Sequence, residues 1–246
     1  MQELCIGTSG WSYQHWRHCF YNGVARKDWL KFYAERFAAV EINGTFYRLQ
    51  KPTTFRKWFD DTPANFKFAL KANRYLTHNK KLIDPEASVL IEKDHAGQLN
   101  EKLAAVLWQL PSLLKKDTGR LNEFVAALRH WPEVRHVVEF RHPSWFDNDT
   151  ADCLDDADIA VCQSDAESWP LWERITSNLA YVRLHGHTRT YASSYSDGEL
   201  TLWADKIREW LRQGRDVHVY FDNDAECAAP FNALALQAII GDRILK

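Results

Sequence analysis

Eight short runs of apolar or alternating residues recur along this chain, and each run is followed by a turn and then by a segment with helical periodicity. The spacing of the runs, roughly 20 to 40 residues, is typical of repeated βα units. They cover residues 4–10, 39–45, 66–73, 104–110, 137–142, 159–165, 180–186 and 217–223. Eight such units in 246 residues match the size of one closed barrel, which needs roughly 250 residues. The sequence therefore predicts the α/β class and a (β/α)8 TIM barrel.

Amphipathic segments lie between these runs and are predicted to form the outer ring of helices. They cover residues 27–37, 53–59, 121–131, 202–211 and 229–239. Because there is no Pro/Gly/Ser-rich linker, low-complexity stretch or charge block, we expect a single domain over residues 1–246. The polar stretch at residues 188–199 follows the seventh run and is predicted to be a mobile loop.

The overall charge gives the protein no general attraction for polyanions or acidic membrane surfaces, since the formal net charge is −2. The start of the sequence lacks both a positively charged leader and a long apolar run, and no apolar segment is long enough to span a bilayer. We therefore expect a cytoplasmic protein without a membrane partner. The sequence carries no signal for the oligomeric state.

The five cysteines are scattered, odd in number and never arranged as a CxxC pair. This pattern predicts reduced thiols, with neither a disulfide framework nor a cysteine zinc site. Two of them, Cys5 and Cys162, lie in strand-like runs and are interpreted as small buried hydrophobes.

Side chains alternate between the two faces of a strand, so each barrel strand sends one set outward and one set inward. The outward set is apolar and suits packing under helices, as with Val40, Phe68 and Val138. The inward set is polar near the carboxyl ends of the strands. It comprises Glu41, Asn43, Lys71, Asn73, Gln109, Glu139, Arg141, Arg183, His185 and Asp222. Because burying unpaired charge costs several kcal/mol, these groups must be paired, hydrated or reserved for a ligand.

The structural alternative is a buried ion-pair network that merely fills the barrel, with Glu139 bonded to Arg141 or Arg183. Pairing explains the charges but not their crowding at one end, where TIM-barrel active sites are built. A ligand site is therefore the favoured interpretation there. Lys67 and His218 share the inward parity but lie nearer the opposite end, where the structural interpretation is preferred.

Paired carboxylates, cations and an imidazole define the chemistry that the inward set can perform. Glu41 and Glu139 are candidate acid and base groups, provided that their environments separate their pKa values. Lys71, Arg141 and Arg183 suit an anion such as a phosphate or carboxylate. His185 is the candidate proton carrier. The predicted substrate-binding set also includes Asn43, His78, Gln109, Asp222 and Asn223.

A metal site is a less favoured alternative. His185 and His187 form an HxH pair, and His142 follows Glu139 closely, so imidazole and carboxylate could together hold a divalent ion. No GxGxxG, GxxxxGK[ST] or GxSxG motif is present, so no nucleotide cofactor is expected and a serine hydrolase has no support.

Aromatic residues follow several of the strands, among them Trp11 after the first and Trp145 after the fifth. Flat rings beside arginines can stack on bases or sugars. They can equally plug the mouth of a barrel, and the sequence favours neither interpretation. Trp11 and Trp145 are included as candidate substrate-binding residues.

The same segments resemble the YecE-like family, also called domain of unknown function 72, over almost the whole chain. The most specific stretch is EFRHPSWF at residues 139–146. The others are IGTSGW at 6–11, EINGTFY at 41–47, Lys71 with Thr77 and His78, RLHG at 183–186 and YFDND at 220–224. The resemblance implies a TIM barrel and no established reaction. The family usually has Asn-Asn where this chain has Asp222–Asn223, so a general carboxylate role at Asp222 is not implied.

Three classes of function remain open. The leading hypothesis is an enzyme acting on a small anionic molecule such as a phosphate ester or a sugar-like compound, a hydrolase or an isomerase or lyase by site composition. The second is a nucleic-acid-binding or endonuclease-type barrel, which the near-neutral charge disfavours. The third is a barrel that binds a ligand or a regulatory partner without catalysis.

Overall fold

The structure is a computed structural model that describes residues 2–244. Eight strands form one parallel sheet, and each of them falls within or close to a predicted run. The strands are β1 (Leu4–Thr8), β2 (Ala39–Ile42), β3 (Lys67–Lys71), β4 (Leu103–Gln109), β5 (Arg135–Glu139), β6 (Ala160–Asp165), β7 (Leu179–Leu184) and β8 (Asp216–Phe221).

The sheet runs in the order β1-β8-β7-β6-β5-β4-β3-β2, and it closes where β1 and β2 meet again. An isolated parallel bridge between Ser9 and Glu41 supplies the closing contact, and the amide of Gly10 donates to the Glu41 carbonyl at 2.7 Å. The bridge lies just past the end of β1, so closure occurs at the carboxyl ends of the strands. The predicted TIM barrel is confirmed.

Helices cover the outside of the barrel. They are α1 (Trp29–Ala34), α2 (Gly44–Tyr47), α3 (Pro52–Asp60), α4 (Glu86–Ala96), α5 (Thr118–Leu128), α6 (Asn148–Asp155), α7 (Asp197–Arg212) and α8 (Ala228–Ile244). A π-helical turn spans Tyr75–Asn79. Short 3-10 segments span Gln14–Arg17, Arg26–Asp28, Gly97–Lys102 and Pro143–Trp145.

Several helix boundaries differ from the prediction. The sequence did not predict α4 or α6, and the connection between β6 and β7, residues 166–178, contains no helix. The predicted loop at 188–199 is shorter than expected because α7 begins at Asp197. Ser196 and Glu199 form a capping box there, in which the hydroxyl accepts from the Glu199 amide at 3.4 Å and the carboxylate accepts from the Ser196 amide at 2.7 Å.

Two apolar clusters hold the fold together, as the strand parity predicts. The larger lies between the sheet and the helices and contains Val40, Phe68 and Val138. The smaller lies inside the barrel and consists largely of small side chains such as Ala69 and Ala105. Small inward residues leave room in the barrel for the long polar side chains that point inward near its mouth.

A disulfide joins Cys19, between β1 and α1, to Cys227, between β8 and α8. The prediction that all five thiols are reduced is therefore wrong. The two cysteines are 208 positions apart and meet only because β1 and β8 are neighbours in the closed barrel. Cys5, Cys153 and Cys162 are free.

Among the described residues 2–244, no helix has both the length and the apolar character needed to cross a membrane.

Candidate functional site

A fully buried guanidinium occupies the centre of the barrel mouth. Arg183 of β7 donates from Nη2 to Glu41 of β2 at 2.8 Å and to Asp222, just after β8, at 2.9 Å. Its Nη1 donates to Glu139 of β5 at 3.1 Å. Three separate strands therefore bring their carboxylates to one arginine, and the crowding that the strand parity predicts is present in the structure.

Glu41 is fully buried, as Glu139 is. It accepts hydrogen bonds from the Ser9 hydroxyl, from the Tyr181 hydroxyl at 2.6 Å and from Arg183 Nε at 3.0 Å. Both of its oxygens have partners, and the side chain is wholly buried. We call Arg183, Glu41, Ser9 and Tyr181 the inner tier. The catalytic role predicted for Glu41 stays a prediction, but the carboxylate is already saturated with hydrogen bonds.

Glu139 links the inner tier to the surface of the mouth. It accepts from the Ser164 hydroxyl at 2.8 Å and forms close ion pairs with both Arg183 and Arg141. Burial alone would raise the pKa of Glu139, but the charges of Arg141 and Arg183 outweigh burial and hold the pKa below its ordinary value. Glu139 is therefore a carboxylate at neutral pH, as the structural alternative of a buried ion-pair network requires.

Lys71, at the end of β3, has a different environment. Its side chain is only 7% exposed. Among residues 2–244 its ammonium has neither a hydrogen-bond acceptor nor a carboxylate within ion-pairing distance, and it lies 4.2 Å from the centre of the Phe46 ring. Burial, followed by the charge of Arg183, lowers the pKa of Lys71 to about 8. The lysine is thus a largely buried cation whose ammonium packs on an aromatic face, with Glu139, Asp222 and Glu41 acting on it at longer range.

Arg141 and Trp169 form the cover of the site. The guanidinium carbon lies 3.4 Å from the centre of the Trp169 ring, and Arg141 Nε is buried without a hydrogen-bond partner in the described part of the chain. The same ring packs edge-on against His185, with centroids 4.5 Å apart. Trp169 comes from the helix-free β6–β7 connection, so this irregular segment places an aromatic ring over two of the predicted site residues.

His185 and Asp222 form the third part of the mouth. Burial, with the charge of Arg183 second, lowers the pKa of His185, so the imidazole is neutral. Its Nδ1 lies 3.0 Å from an Asp222 oxygen but is not aligned for a hydrogen bond. Burial raises the pKa of Asp222. Asn43 donates to Asp222 at 3.4 Å, and its own Oδ1 is buried without a partner in residues 2–244. We call Lys71, Arg141, His185 and Asn43 the outer tier.

Two further predicted residues lie at the edge of this site. The centre of the His78 ring lies 5.0 Å from that of Phe46. Phe46 is also the ring that Lys71 contacts, so His78 borders the outer tier. Burial, Arg74 and Lys71 lower the pKa of His78 to about 4. Gln109 at the end of β4 lies opposite Glu139 in the strand register and donates from its side chain to the neighbouring Leu110 carbonyl at 3.1 Å.

Three predicted residues have other neighbours. Asn223 donates to Ser193 and Asn232 at 2.9 Å each, and so fixes the loop before α7. Trp11 packs edge-on against Trp58 at 5.2 Å. Trp145 is buried and donates from its indole to a backbone carbonyl. The structure does not bring these three side chains into the outer tier, and their predicted substrate contacts stay untested.

The residues considered for a metal site at the mouth do not converge. His187 is exposed and lies 3.1 Å from Asp165, whereas His185 points into the barrel. His142 contacts Ser144. Within residues 2–244, the group of three metal-ligating atoms that does converge lies at the opposite end of the barrel.

Sequence reasoning missed four residues of the site. Ser9, Ser164 and Tyr181 share the inward parity of their neighbours or follow a strand directly, so the alternation that found Arg183 could also have found them. Trp169 lies in a connection without periodicity and gave no such signal.

Eight parallel strands with converging polar groups at their carboxyl ends define a TIM-barrel protein with a polar mouth. The chain belongs to the family described as protein of unknown function DUF72, whose model matches residues 5–245. This confirms the family resemblance.

Relatives and solved structures agree with the assignment. The chain is 27% identical to the UPF0759 protein YunF of Bacillus subtilis, over 90% of this chain and 89% of that protein. A DUF72 family protein from Thermotoga maritima superposes with a TM-score of 0.87 at 27% identity, covering 97% of this chain and 99% of the other. One from Enterococcus faecalis has a TM-score of 0.82 at 18% identity, over 97% and 95% of the two chains, and shows the same fold.

Proposed function

We propose that the protein is an enzyme that binds a small anionic substrate, a phosphate ester or an acidic sugar-like molecule, at the outer tier. Lys71 and Arg141 hold the anion, and His185 with Asp222 moves a proton. Arg183 and Glu41 organise the site from below. Trp169 lies at the entrance with Tyr191, whose ring centre is 5.8 Å from that of Trp169 and 5.7 Å from that of His185, and a sugar ring can stack on such an aromatic face.

The observation that carries the proposal is the incomplete solvation of Lys71. A buried ammonium normally forms ion pairs or several hydrogen bonds, because its desolvation is otherwise uncompensated. Arg183 reaches three carboxylates, whereas Lys71 reaches none within residues 2–244. A bound anion would supply the missing partner and would also satisfy the unpartnered Nε of Arg141.

The pKa shifts of Glu139, His185 and Asp222 assign these three residues different chemical roles. Glu139 stays anionic and is a weak base, so it is better suited to orienting Arg141 than to accepting a proton. In the neutral His185, Nε2 lies 3.3 Å from the Arg183 Nη1 donor, so Nε2 accepts and the ring proton lies on Nδ1, from which it can be donated to a substrate. An Asp222 oxygen lies 3.0 Å from Nδ1, and burial raises the pKa of Asp222, so Asp222 can exchange the proton with the ring.

Binding of inorganic phosphate tests the anion site directly. Titration calorimetry of the unmodified protein should show one saturable phosphate site per chain, and Lys71→Met should weaken it by at least about tenfold, the loss of one charge-assisted contact. Lys67→Met is the matched control, since Lys67 lies on the same strand at the other end and donates to the Glu101 carbonyl. Equal phosphate binding by Lys71→Met and the unmodified protein would refute the proposal.

Turnover tests the assignment of the proton carrier. A panel of phosphate esters and acidic sugar derivatives identifies a substrate, and His185→Gln should then lower kcat by about 10²-fold or more while KM changes little. A normal kcat in a folded His185→Gln protein would remove His185 from the mechanism.

A second candidate function is binding of a single nucleic acid strand, and one observation favours it. A cavity of about 300 Å³ beside the outer tier is lined by Arg74, His78 and Lys81. Two cations at this rim could contact successive phosphates. Salt-dependent retention of single-stranded DNA, lost in Arg74→Ala/Lys81→Ala, would favour this function; retention of phosphate alone would favour the small-molecule enzyme.

A further inference from the structure

The end of the barrel opposite the proposed active site carries a second cluster of reactive side chains. Glu3 precedes β1, Cys5 lies in β1, and His218 lies in β8 directly opposite Cys5 in the strand register. The Glu3 carbonyl accepts from the Val217 amide at 2.9 Å, so Glu3 continues the line of β1 and shares a face with Cys5 two positions on, and His218 has the inward parity of β8. One ligand atom from each residue lies within 4.8 Å of the other two.

We propose that Glu3, Cys5 and His218 form a binding site for a thiophilic divalent cation, with Zn²⁺ as the best fit. A thiolate, an imidazole and a carboxylate are the three ligand types that zinc prefers, and a water molecule would complete the tetrahedron. The soft sulfur disfavours Mg²⁺ and Ca²⁺, which require oxygen ligands.

The distances are close to those of a zinc site. Zinc bonds to sulfur, nitrogen and oxygen imply ligand-to-ligand separations of about 3.3–3.8 Å in a tetrahedron. His218 Nε2 already lies 3.5 Å from a Glu3 oxygen. The three ligand atoms lie within 4.8 Å of one another, and the Glu3 side chain is 38% exposed, whereas Cys5 and His218 are buried.

The surroundings of His218 also suit a metal ligand. The Tyr220 hydroxyl lies 3.1 Å from Nδ1, so this hydrogen bond orients the ring and leaves Nε2 directed at Glu3. Asp216 stays outside the site, since its carboxylate accepts from the Glu3 amide and from Arg135, at 2.5 Å each. An entry path exists as well, because Glu3 lies in the wall of a cavity of about 810 Å³ at this end of the barrel.

A metal here would have a clear structural effect. It would join β1 to β8 at their amino-terminal ends, while the Cys19–Cys227 disulfide joins the loops that follow the same two strands. The first and last strands of the barrel would thus be cross-linked near both of their ends.

Cobalt substitution tests the site without any assay of activity. The chelator-treated protein, with the disulfide kept oxidised, is titrated with Co²⁺ and then with Zn²⁺. We expect one ion per chain, a thiolate-to-cobalt charge-transfer absorption that Zn²⁺ abolishes, and a saturable rise in Tm with Zn²⁺. Cys5→Ser should abolish the absorption and weaken Zn²⁺ binding by at least about tenfold. Cys162→Ser, another buried cysteine inside the barrel, should retain both.

A second variant covers the case in which Cys5→Ser does not fold. Glu3→Gln changes a partly exposed residue and should fold, keep the cobalt–thiolate absorption and bind Zn²⁺ at least about tenfold more weakly. Cobalt binding without thiolate absorption in the unmodified protein would overturn the proposal. So would Zn²⁺ affinities unchanged in both Cys5→Ser and Glu3→Gln, and the cluster would then be an internal contact between Glu3 and His218.

Discussion

The inner and outer tiers of the barrel mouth both consist of polar and charged side chains but differ in how completely these are hydrogen-bonded. In the inner tier, Arg183 and Glu41 have partners for every charged group, supplied by Ser9, Tyr181 and two further carboxylates. In the outer tier, Lys71 has no acceptor and Arg141 Nε and Asn43 Oδ1 are buried without partners, counted over residues 2–244.

How completely a buried polar group is bonded distinguishes a structural residue from a ligand-binding residue better than its charge does. A buried charge that is fully bonded is explained by the fold, and its removal should cost stability. A buried polar atom without a partner is unfavourable for the fold and needs another explanation, such as a ligand. The two tiers should therefore respond to substitution in opposite ways.

The largest effect is expected in the inner tier. Arg183→Met leaves Glu41, Glu139 and Asp222 close together without their common cation, and should lower the free energy of unfolding by about 3–5 kcal/mol or prevent folding. Urea denaturation measures the loss. Arg56→Met is the control, because Arg56 pairs with Asp60 at the surface, where the loss should stay below about 1 kcal/mol. Equal small losses in both variants would mean that the inner tier is not what stabilises the mouth.

Replacing Lys71 should change the free energy of unfolding in the opposite direction. Its pKa is lowered from 10.5 to about 8, so its protonated form disfavours the folded chain. That penalty is fully present below about pH 8 and disappears as the pH rises from about 8 to about 10.5. Lys71→Met should therefore increase the free energy of unfolding at pH 7 by on the order of 1–3 kcal/mol, while removing phosphate binding.

Denaturation curves at about pH 7 and about pH 10.5 check both the sign and its pH dependence. The advantage of Lys71→Met over the unmodified protein should shrink at the higher pH. A large loss of stability at pH 7 would show instead that the ammonium stabilises the fold, and the two tiers would no longer be distinguishable by bonding.

Trp169 is expected to have a smaller effect. Trp169→Ala removes the ring on which Arg141 lies, and a cation–π contact of about 0.5–1 kcal/mol corresponds to a loss of roughly two- to fivefold in phosphate affinity. Calorimetric titration measures it. Trp172→Ala is the control, since Trp172 lies in the same connection but stacks on Phe146 at 5.0 Å. Tighter phosphate binding by Trp169→Ala would show that the ring competes with the ligand.

The barrel and most of its mouth could be predicted because strands have a strict period. Alternation of side chains fixes the face of Glu41, Lys71 and Arg183, and parallel closure then brings their strand ends together. What could not be predicted lies outside the strands. The ring of Trp169 comes from a connection without periodicity, and the bond between Cys19 and Cys227 depends on the neighbouring positions of β1 and β8.

The helices were also predicted incompletely from the sequence. In α4 the buried and exposed positions do not follow residue type, since Glu92 is buried whereas Leu90 and Ile91 are partly exposed. Burial raises the pKa of Glu92 to about 7, and one of its oxygens accepts from the Asn73 amide at 2.6 Å. A polar residue on the buried face hides the amphipathic pattern on which helix prediction depends.

Asp222 gives the smallest expected change in stability and the sharpest distinction between the tiers, because it contacts both. Its pKa is raised by burial, so the ionised form disfavours folding and stability is lost as the pH rises through the folded-state pKa. Asp222→Asn, which introduces the residue usual in the resembled family, should therefore be no less stable than the unmodified protein at neutral pH, with an advantage that grows as the pH rises above about 4.

Urea midpoints across this range measure the difference, and Asp165→Asn is the matched control. Asp165 lies outside both tiers, accepts from the Tyr195 hydroxyl at 2.8 Å and lies 3.1 Å from His187, so that variant weakens charge-assisted bonds and should lose stability. If Asp222→Asn also loses stability at neutral pH, the carboxylate is needed to hold Arg183 and belongs to the inner tier. If stability is kept and turnover falls, the carboxylate serves His185, because only the chemistry of the outer tier then requires its charge.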